Sequence, residues 1–361
     1  MNLFLMKFSS QNCRYNCTCA VIYCIIIAMI KITLTANDAD QRLDRFLKKY
    51  MKRASLGTIY KMIRKDVRLN GKKPKEDTML SEGDELALYI TEERLAELTA
   101  PVRKKTAKRQ FKIAYEDENI LVVDKPSGLL THGDAHEKKN TLVNQVCGYL
   151  QEKGEYTPSG ERTFVPAPVN RLDRNTTGLV IFGKNASSLR ALTSLLRTRN
   201  HVEKYYLTIV CGRLDRELVL EDRIVKDHEK NISSVVAEGI GNGGQPEDGK
   251  ESVTHVKPVV AGKRFSLAEV RIFTGRTHQI RVHLANAGFP LAGDIKYGSV
   301  DINGMLKKHG ITTQLLHAYK LRFTEMPPEL SSLEGKVIEA PLPADFARAK
   351  RLLISEEIVK G

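Results

Sequence analysis

The chain has 361 residues, enough for two domains, one of them with a sizeable hydrophobic core. Its 57 Lys and Arg residues outnumber its 43 Asp and Glu residues, which gives a formal net charge of +14, and only 6% of the residues are aromatic. Spread over a chain without Trp, this positive excess indicates a polyanionic partner rather than solubility alone, but it excludes none of RNA, DNA or an anionic membrane.

The cysteines indicate neither a metal centre nor a disulfide framework. Four of the six lie in the first 24 residues: Cys13, Cys17, Cys19 and Cys24. The spacing between the second and third is not that of metal ligands, and no His pair follows at zinc-finger distance. The other two, Cys147 and Cys211, are isolated thiols that fit a reducing compartment, so we expect a cytoplasmic protein.

The first apolar stretch, residues 20–30, is too short to span a bilayer, which takes about 20 residues. No convincing cleavage site makes it a signal peptide. The sequence from Met29 onwards looks like a natural amino terminus. We therefore hypothesise that residues 1–28 come from an upstream start-site assignment and are absent from, or disordered on, the working protein, and we predict no membrane association.

The next segment is predicted to form a small α/β domain. A strand at residues 31–35 is followed by two amphipathic helical patterns with basic outer faces, and the second exposes Lys61 and Arg64. Asn70-Gly71 then signals a tight hairpin turn. Two basic helices plus a hairpin resemble the S-four-like RNA-binding domain, which implies that these cations contact RNA phosphates without reading bases. A solvated, charged helical hairpin is the alternative.

The domain boundaries follow from composition. The small domain is assigned to residues 29–92. Residues 93–112 are polar and contain a run of Lys and Arg, which is the composition of a charged linker. Residues 113–361 are predicted to form the main domain, which opens with a strand–turn–strand pattern and a helix at residues 141–151.

Residues 169–185 read Val-Asn-Arg-Leu-Asp-Arg-Asn-Thr-Thr-Gly-Leu-Val-Ile-Phe-Gly-Lys-Asn, a pattern that predicts a turn and then a buried strand. Asp173 lies between Arg171 and Arg174. A carboxylate at the mouth of a strand, flanked by cations, can act as a nucleophile or general base. Arg-Leu-Asp-Arg also occurs at residues 42–45 and 213–216, so the tetrapeptide alone indicates little, and a structural Asp that caps a turn is the alternative.

Only the middle copy continues into Asn-Thr-Thr-Gly-Leu. This longer string resembles the catalytic motif of the RluA-type pseudouridine synthases, usually His-Arg-Leu-Asp-x-x-Thr-Ser-Gly-Leu. The resemblance implies that Asp173 is the catalytic nucleophile or base and that Arg171 helps to flip the base or fills its place. Asn170 stands where His is usual, and Thr177 where Ser is usual. Neither is the nucleophile, so we expect activity to survive both departures.

Three later segments resemble the same family. Lys-Tyr-Tyr-Leu at residues 204–207 implies that Tyr206 is the catalytic aromatic ring, and strand alternation places Tyr205 on the other face. Gly-Arg-Thr-His-Gln-Ile-Arg at residues 275–281 implies that Arg281 is the ion-pair partner of Asp173 and keeps it charged. Arg276 in this segment is expected to support the loop or to meet an RNA phosphate. Gln-Leu-Leu-His-Ala at residues 314–318 implies that Leu316 packs beside the target base.

Two patterns are rejected as cofactor sites. His278 and His283 are conceivable metal ligands, but on the predicted strand their spacing places them on opposite faces, and no Cys or acidic partner is near. Residues 239–244 formally match Gly-x-Gly-x-x-Gly, but no helix follows, so we expect a mobile hairpin tip rather than a nucleotide site. We therefore predict no metal, no nucleotide and no other cofactor.

The predicted fold is α+β, with a bent, mostly antiparallel mixed sheet after a small α/β RNA-binding domain. The predicted activity is the isomerisation of specific uridines in structured RNA, with large-subunit ribosomal RNA as the expected target, by a monomer. Transfer RNA as the substrate and a non-catalytic ribosome-assembly protein are the alternatives. A carboxylate-dependent nucleosidase is a further rival, but glycosidases mostly use paired carboxylates, and these motifs contain no second acid.

Overall fold

The computed structural model describes residues 29–99, 107–158, 161–198, 201–227, 232–236 and 249–355. The proposed leader at residues 1–28 and the glycine-rich residues 239–244 lie outside these ranges. Within them, no helix is both long enough and apolar enough to cross a membrane.

The amino-terminal part of the described chain is a small α/β domain. Its elements are β1 (Met29–Thr33), α1 (Leu43–Tyr50), α2 (Leu56–Lys65), β2 (Val67–Leu69), β3 (Glu85–Tyr89) and α3 (Glu92–Thr99). The three strands form an antiparallel sheet in the order β1-β3-β2. The helix faces predicted to be apolar are buried, with Leu43, Phe46 and Leu47 on α1 and Ile59, Met62 and Ile63 on α2.

The tight turn predicted at Asn70-Gly71 is present. Asn70 has φ 49° and Gly71 has φ 75°, so both lie in the left-handed region that a two-residue hairpin turn requires. The backbone amide and carbonyl of Leu69 pair with those of Lys72 across the turn, at 2.9 Å each. The local signal in the sequence was therefore sufficient to predict this turn.

The predicted linker at residues 93–112 is shorter than expected, because both of its ends are ordered. Residues 92–99 form α3, and Leu98 is buried in the core of the small domain. At the other end, Phe111 is buried in the core of the larger domain, and Lys112 begins the next strand. The composition of this segment is dominated by charged residues, so it did not indicate that two of its apolar residues, Leu98 and Phe111, are buried in the domain cores.

The larger domain contains an extended sheet and five α-helices in the described residues. Its elements are β4 (Lys112–Glu116), β5 (Ile120–Lys125), α4 (Leu142–Glu152), β6 (Ala167–Pro168), β7 (Thr177–Gly183), α5 (Ala186–Thr198), β8 (Val202–Cys211), β9 (Leu218–Asp227), β10 (Ile232–Val235), β11 (Lys250–Ala261), β12 (Phe265–Ile272), α6 (Gln279–Asn286), α7 (Val300–Lys308), β13 (Leu316–Phe323), β14 (Val337–Glu339) and α8 (Ala344–Lys350). A short 3-10 helix, Pro328–Leu333, precedes β14.

The sheet of the larger domain has 11 strands, and its main path runs β10-β9-β11-β12-β8-β13-β7-β5-β4. Among the described strands, β13 and β7 form the one parallel pair. The fold is therefore α+β with a mixed, mostly antiparallel sheet, as predicted. Successive side chains of β5 and β7 point to opposite faces of the sheet and belong to two separate hydrophobic cores. One core includes residues of α4, and the other includes residues of α5.

Gly178 allows the parallel strands to meet where the candidate site lies. It has φ 109°, and a Cβ atom there would lie 2.1 Å from the carbonyl oxygen of Ala318 on β13. A side chain at this position would therefore separate β7 from β13. The close approach brings the start of β13, with Leu316, beside the start of β7, a few residues after Asp173.

The two domains contact each other through the loop that follows β1. Asp38 is 1% exposed, and its carboxylate accepts hydrogen bonds from Arg162 at 3.0 Å and from the Thr163 hydroxyl at 3.0 Å. Arg190 on α5 pairs with Asp40 at 2.9 Å. These contacts anchor the small domain on two parts of the larger one, the segment before β6 and helix α5.

The segment that contains His278 and His283 is a helix and not the predicted strand. Residues 279–286 form α6, and residues 279–284 are all buried. The alternation of Ile and Val with polar residues suggested a strand, but helix α6 is enclosed on every side by the fold, so it shows no amphipathic periodicity.

Candidate active site

Asp173 lies in the loop between β6 and β7, and the backbone of this loop is held on both sides. The hydroxyl of Thr131 donates to the carbonyl of Leu172 at 2.9 Å, and the guanidinium of Arg174 donates to the carbonyl of Gly128 at 3.1 Å. The Asp173 side chain is 26% exposed. The carboxylate is therefore accessible, while the chain that carries it is fixed.

Lys125 at the end of β5 is a further clamp on this loop, and sequence reasoning gave it no role. It is fully buried, and its Nζ donates to the carbonyls of Pro126, Leu129 and Arg174 at 2.9–3.0 Å. Burial lowers the pKa of Lys125 to about 7, while the negative charge of Asp173 acts in the opposite direction. The ammonium group thus ties the loop that carries Asp173 to the strand beneath it.

Arg281 on α6 makes the ion pair with Asp173 that the sequence predicted. It also makes a second ion pair, with Asp294, that the sequence did not predict. Its Nη1 lies 2.9 Å from Asp173 Oδ2. Its Nε and Nη2 lie 2.7 and 2.8 Å from the two carboxylate oxygens of Asp294, which is 0% exposed. Burial disfavours both charges, yet the pairing raises the pKa of Arg281 and lowers the pKa of Asp294.

His278 and Tyr297 complete the cluster. His278 precedes α6 with φ 56°, an uncommon backbone conformation for a residue other than Gly. Its Nδ1 lies 2.8 Å from the hydroxyl of Tyr297, which accepts the backbone N–H of Ser233 at 2.8 Å. The other ring nitrogen, Nε2, lies 3.9 Å from Asp173 Oδ2.

The imidazole of His278 is neutral near pH 7. Burial is the main cause that lowers its pKa to about 4, and the positive charge of Arg281 acts in the same direction, while the negative charge of Asp173 opposes them. The guanidinium of Arg281 also lies over the Tyr297 ring, 5.1 Å from its centroid. The carboxylate of Asp173 thus faces one fixed cation and one neutral imidazole.

Tyr206 and Leu316 form an apolar wall beside Asp173. Each is 5% exposed, and both belong to the core cluster that includes Leu172. Burial raises the pKa of the Tyr206 hydroxyl, and the negative charge of Asp173 adds to the effect. Tyr205 lies on the opposite face, as predicted, where its hydroxyl bonds Glu203. The Tyr206 ring is therefore packed against the core and almost fully buried.

The two departures from the family motif have local structural uses. Asn170 acts as a backbone bridge: it donates to the carbonyl of Leu179 at 3.2 Å and accepts the N–H of Ile181 at 2.9 Å. Thr177 places its hydroxyl 2.8 Å from Nδ1 of His317, which joins β7 to β13. Both side chains support the strand that follows Asp173, which agrees with the expectation that neither carries the chemistry.

The remaining predicted residues lie around this cluster or far from it. Arg171 is exposed. Arg276 donates from Nε to the carbonyl of Glu251 at 3.2 Å and lines a cavity of about 150 Å³ with Lys204. Lys61 and Arg64 are exposed on α2 of the small domain, so the structure does not bring them into the Asp173 cluster.

Sequence reasoning missed Asp294, Tyr297 and the orientation of His278. The sequence contains one weak signal for Asp294: it follows the apolar residues Leu-Ala-Gly, and an Asp in an apolar segment is more often buried than an Asp in a polar one. Nothing in the sequence indicated which cation it would meet. Among the residues described, no group of three or more His, Cys, Asp or Glu side chains is arranged to hold a metal ion.

Comparison with known proteins gives a consistent assignment. Residues 119–286 match the family described as RNA pseudouridylate synthase. The chain is 33% identical over 317 residues to "Ribosomal large subunit pseudouridine synthase C" of Vibrio vulnificus, an alignment that covers 85% of this chain and 94% of the relative. The protein of the same name from Escherichia coli K12 is 32% identical over 332 residues, with 89% and 96% covered.

A solved structure supports the fold. "Human RNA Pseudouridylate Synthase Domain Containing 4" superimposes with a TM-score of 0.53 at 24% identity, covering 67% of this chain and 92% of the human one. At that identity the likeness concerns the fold alone. The bacterial relatives carry the assignment, because they are more than 30% identical to this chain and are aligned along almost their whole length. The chain belongs to the RNA pseudouridylate synthase family.

Proposed function

We propose that the chain isomerises specific uridines of large-subunit ribosomal RNA to pseudouridine, with Asp173 as the catalytic nucleophile or base. The observation that supports this most strongly is the ion pair between Asp173 and Arg281, because it joins two residues that only the synthase motifs single out. The choice of ribosomal RNA rests on the names of the bacterial relatives. The net charge of +14 agrees with a nucleic-acid substrate.

The reaction breaks the N-glycosidic bond of uridine, rotates the uracil and rejoins it to the sugar through ring carbon 5. It consumes no co-reactant, since the product is an isomer of the substrate. The step that needs a protein group is cleavage of the glycosidic bond, through attack on the sugar or removal of a sugar proton. Either route uses a carboxylate that is shielded from water and held in position, and Arg281 Nη1 lies 2.9 Å from Asp173 Oδ2.

The substrate must leave its helical stack to reach Asp173, because only 26% of the Asp173 side chain is exposed. Tyr206 and Leu316 then contact the flipped base, and exposed Arg171 fills its place in the RNA. Arg276, Lys61 and Arg64 contact RNA phosphates. In this proposal the enzyme acts as a cytoplasmic monomer without a cofactor.

The small domain, residues 29–92, is proposed to be an S-four-like RNA-binding module. Its exposed cations on α2 support this role, and the contact between Asp38 and Arg162 would hold the module at a defined distance from Asp173. An RNA that touches both domains would then be positioned by the small domain while the larger domain performs the reaction.

The decisive experiment uses ribosomal RNA from a strain that lacks this protein. Purified wild type and Asp173→Asn are incubated with it, and pseudouridine is mapped by carbodiimide reactivity. New sites with the wild type and none with the variant are expected, and they would also name the target uridines. Tight RNA binding by both proteins without new sites in ribosomal or transfer RNA would overturn catalysis and favour an RNA-binding protein.

A further inference from the structure

Arg281 is shared between two carboxylates in an unequal way. One edge of its guanidinium, Nε with Nη2, faces both oxygens of Asp294 at 2.7 and 2.8 Å, while Nη1 alone reaches Asp173 at 2.9 Å. A two-point contact fixes the plane of a guanidinium, whereas a one-point contact leaves it free to rotate. Asp294 therefore determines where Nη1 points.

Asp294 is itself immobile. Its Oδ1 also accepts the backbone N–H groups of Lys296 at 2.9 Å and Tyr297 at 3.2 Å. Its carbonyl accepts the side-chain amide of Asn303 at 2.8 Å. The preceding Gly293 has φ 79°, and a Cβ atom there would lie 2.3 Å from the carbonyl oxygen of Thr313. The turn that carries the carboxylate is thus fixed against the start of α7 and the segment before β13.

The unequal sharing has a consequence for Asp173. In the described part of the chain, the only side-chain hydrogen bond to its carboxylate is the one from Arg281 to Oδ2, so Oδ1 remains for the substrate. A guanidinium that had no other partner could take both oxygens of Asp173 in a bidentate pair and so block the reacting atom.

We propose that Asp294 is a positioning residue that acts on Asp173 through Arg281, holding the guanidinium edge-on so that Asp173 keeps one fixed and one free oxygen. This inference rests on the proposed reaction at Asp173. It assigns Asp294 no contact with the substrate.

The first test is the variant Asp294→Asn, assayed by single-turnover pseudouridine formation and by RNA binding. The amide would still accept the turn N–H groups through its oxygen, but its N–H₂ group would face the guanidinium and repel it. We expect the catalytic rate constant to fall about 10- to 100-fold, the loss expected of a misplaced group, with the RNA dissociation constant unchanged within about twofold. Asp294→Ser is the second variant in case Asn prevents folding.

A double-mutant cycle with Arg281→Lys separates positioning from a general structural role. Lysine keeps the charge but offers no fork for Asp294. If Asp294 acts through Arg281, Asp294→Asn in the Arg281→Lys background should cost less than about twofold in rate, because the interaction is already lost. Equal losses in both backgrounds, or an unchanged rate in the single variant, would overturn the proposal.

A structural readout keeps this test independent of the proposed function. In the crystal structure of the Asp294 variant, we expect Arg281 either to leave Asp173 or to turn both Nη groups towards it. An unchanged single contact near 2.9 Å would refute the positioning role even if the wild type formed no pseudouridine. Failure of the wild type to form pseudouridine, by contrast, would remove the proposed reaction and not the geometric relationship.

Discussion

The loop at Asp173 and the turn after β8 contain the same tetrapeptide, Arg-Leu-Asp-Arg, but use it differently. In the turn, Arg213 pairs with Asp215 at 3.2 Å, and both side chains are more than half exposed. In the loop, Asp173 pairs with Arg281, 108 residues away, and not with its own neighbour. The first copy in the chain, at the start of α1, also forms a local pair, between Arg42 and Asp44 at 2.9 Å.

The copies share one feature, which is the buried leucine. Leu43 and Leu214 are 0% exposed and Leu172 is 7% exposed. In each copy the Leu is buried in the core, while the two Arg side chains and the Asp side chain lie outside it. Local pairing satisfies the acid in two copies, and only the fold around the middle copy supplies a distant cation. The chemistry comes from this tertiary pairing and not from the tetrapeptide.

The largest expected difference between the copies is catalytic. Asp173→Asn should reduce single-turnover pseudouridine formation by at least about 1,000-fold, because the amide can neither attack nor accept a proton. Asp44→Asn and Asp215→Asn are matched controls that should stay within about twofold of the wild type, since each acid pairs with the Arg two residues before it and not with Arg281. A comparable loss in either control would mean that the tetrapeptide matters for another reason.

The second difference concerns stability. Arg281→Met leaves the buried carboxylate of Asp294 without its cation and should cost about 3–5 kcal/mol of unfolding free energy. Arg213→Met breaks an exposed pair and should cost at most about 1 kcal/mol. Urea unfolding of the two variants measures the contrast. Equal midpoints would show that the Asp294 carboxylate is not buried in solution.

Two glycines sharpen the comparison at the backbone level. Gly178 follows the Asp173 loop and Gly212 precedes the third tetrapeptide, with φ 109° and 100°. Alanine at either position is strained, at a cost of about 1–3 kcal/mol. Only Gly178→Ala also places Cβ 2.1 Å from a backbone oxygen, whereas the nearest atom at Gly212 is a ring carbon at 3.5 Å. Thermal unfolding should therefore show the larger loss for Gly178→Ala, and the reverse order would contradict the close approach of β7 and β13.

A pH-dependent contribution to stability is expected from His278, which lies beside Asp173. Its pKa is lowered from 6.5 to about 4, mainly by burial. The unfolded chain therefore binds a proton first as the pH falls, so the contribution of neutral His278 is complete above pH 6.5 and is lost towards pH 4.

The variant His278→Asn tests this prediction, since Asn tolerates the left-handed backbone. Its unfolding free energy should change less between pH 7 and pH 4.5 than that of the wild type. Some slope should remain, because burial also lowers the pKa values of His283 and His317. A variant as pH-sensitive as the wild type would show that His278 does not titrate as described.

The smallest effects are expected from cations that meet RNA. Lys61→Gln and Arg64→Gln should each weaken RNA binding and reduce the slope of log affinity against log salt by about 1, with the catalytic rate constant unchanged. Arg216→Gln, an exposed cation in the third tetrapeptide, is the matched control and should leave the slope as it is. Filter binding at several salt concentrations measures all three.

Much of the fold followed from local patterns. The helices α1 and α2, the turn at Asn70-Gly71 and the strand after Asp173 were predicted because each has a strong periodicity or turn signal of its own. Helix α6 was predicted wrongly as a strand. It is buried on all sides over residues 279–284, so its sequence lacks the alternation of an apolar face and an exposed polar face that marks a surface helix. The anchors Leu98 and Phe111 were missed because isolated apolar residues in a charged segment give no period.

The sequence by itself determined the family of this protein, the acid that its motifs centre on and the cation that pairs with it, because long motifs keep their order along the chain. The tertiary structure decided which of three identical tetrapeptides has a distant partner. It also decided that Asp294 and Asp173 both bind the guanidinium of Arg281, and that His278 faces Asp173 as a neutral ring. These are properties of burial and of contacts between residues far apart in the chain, and no local pattern encodes them.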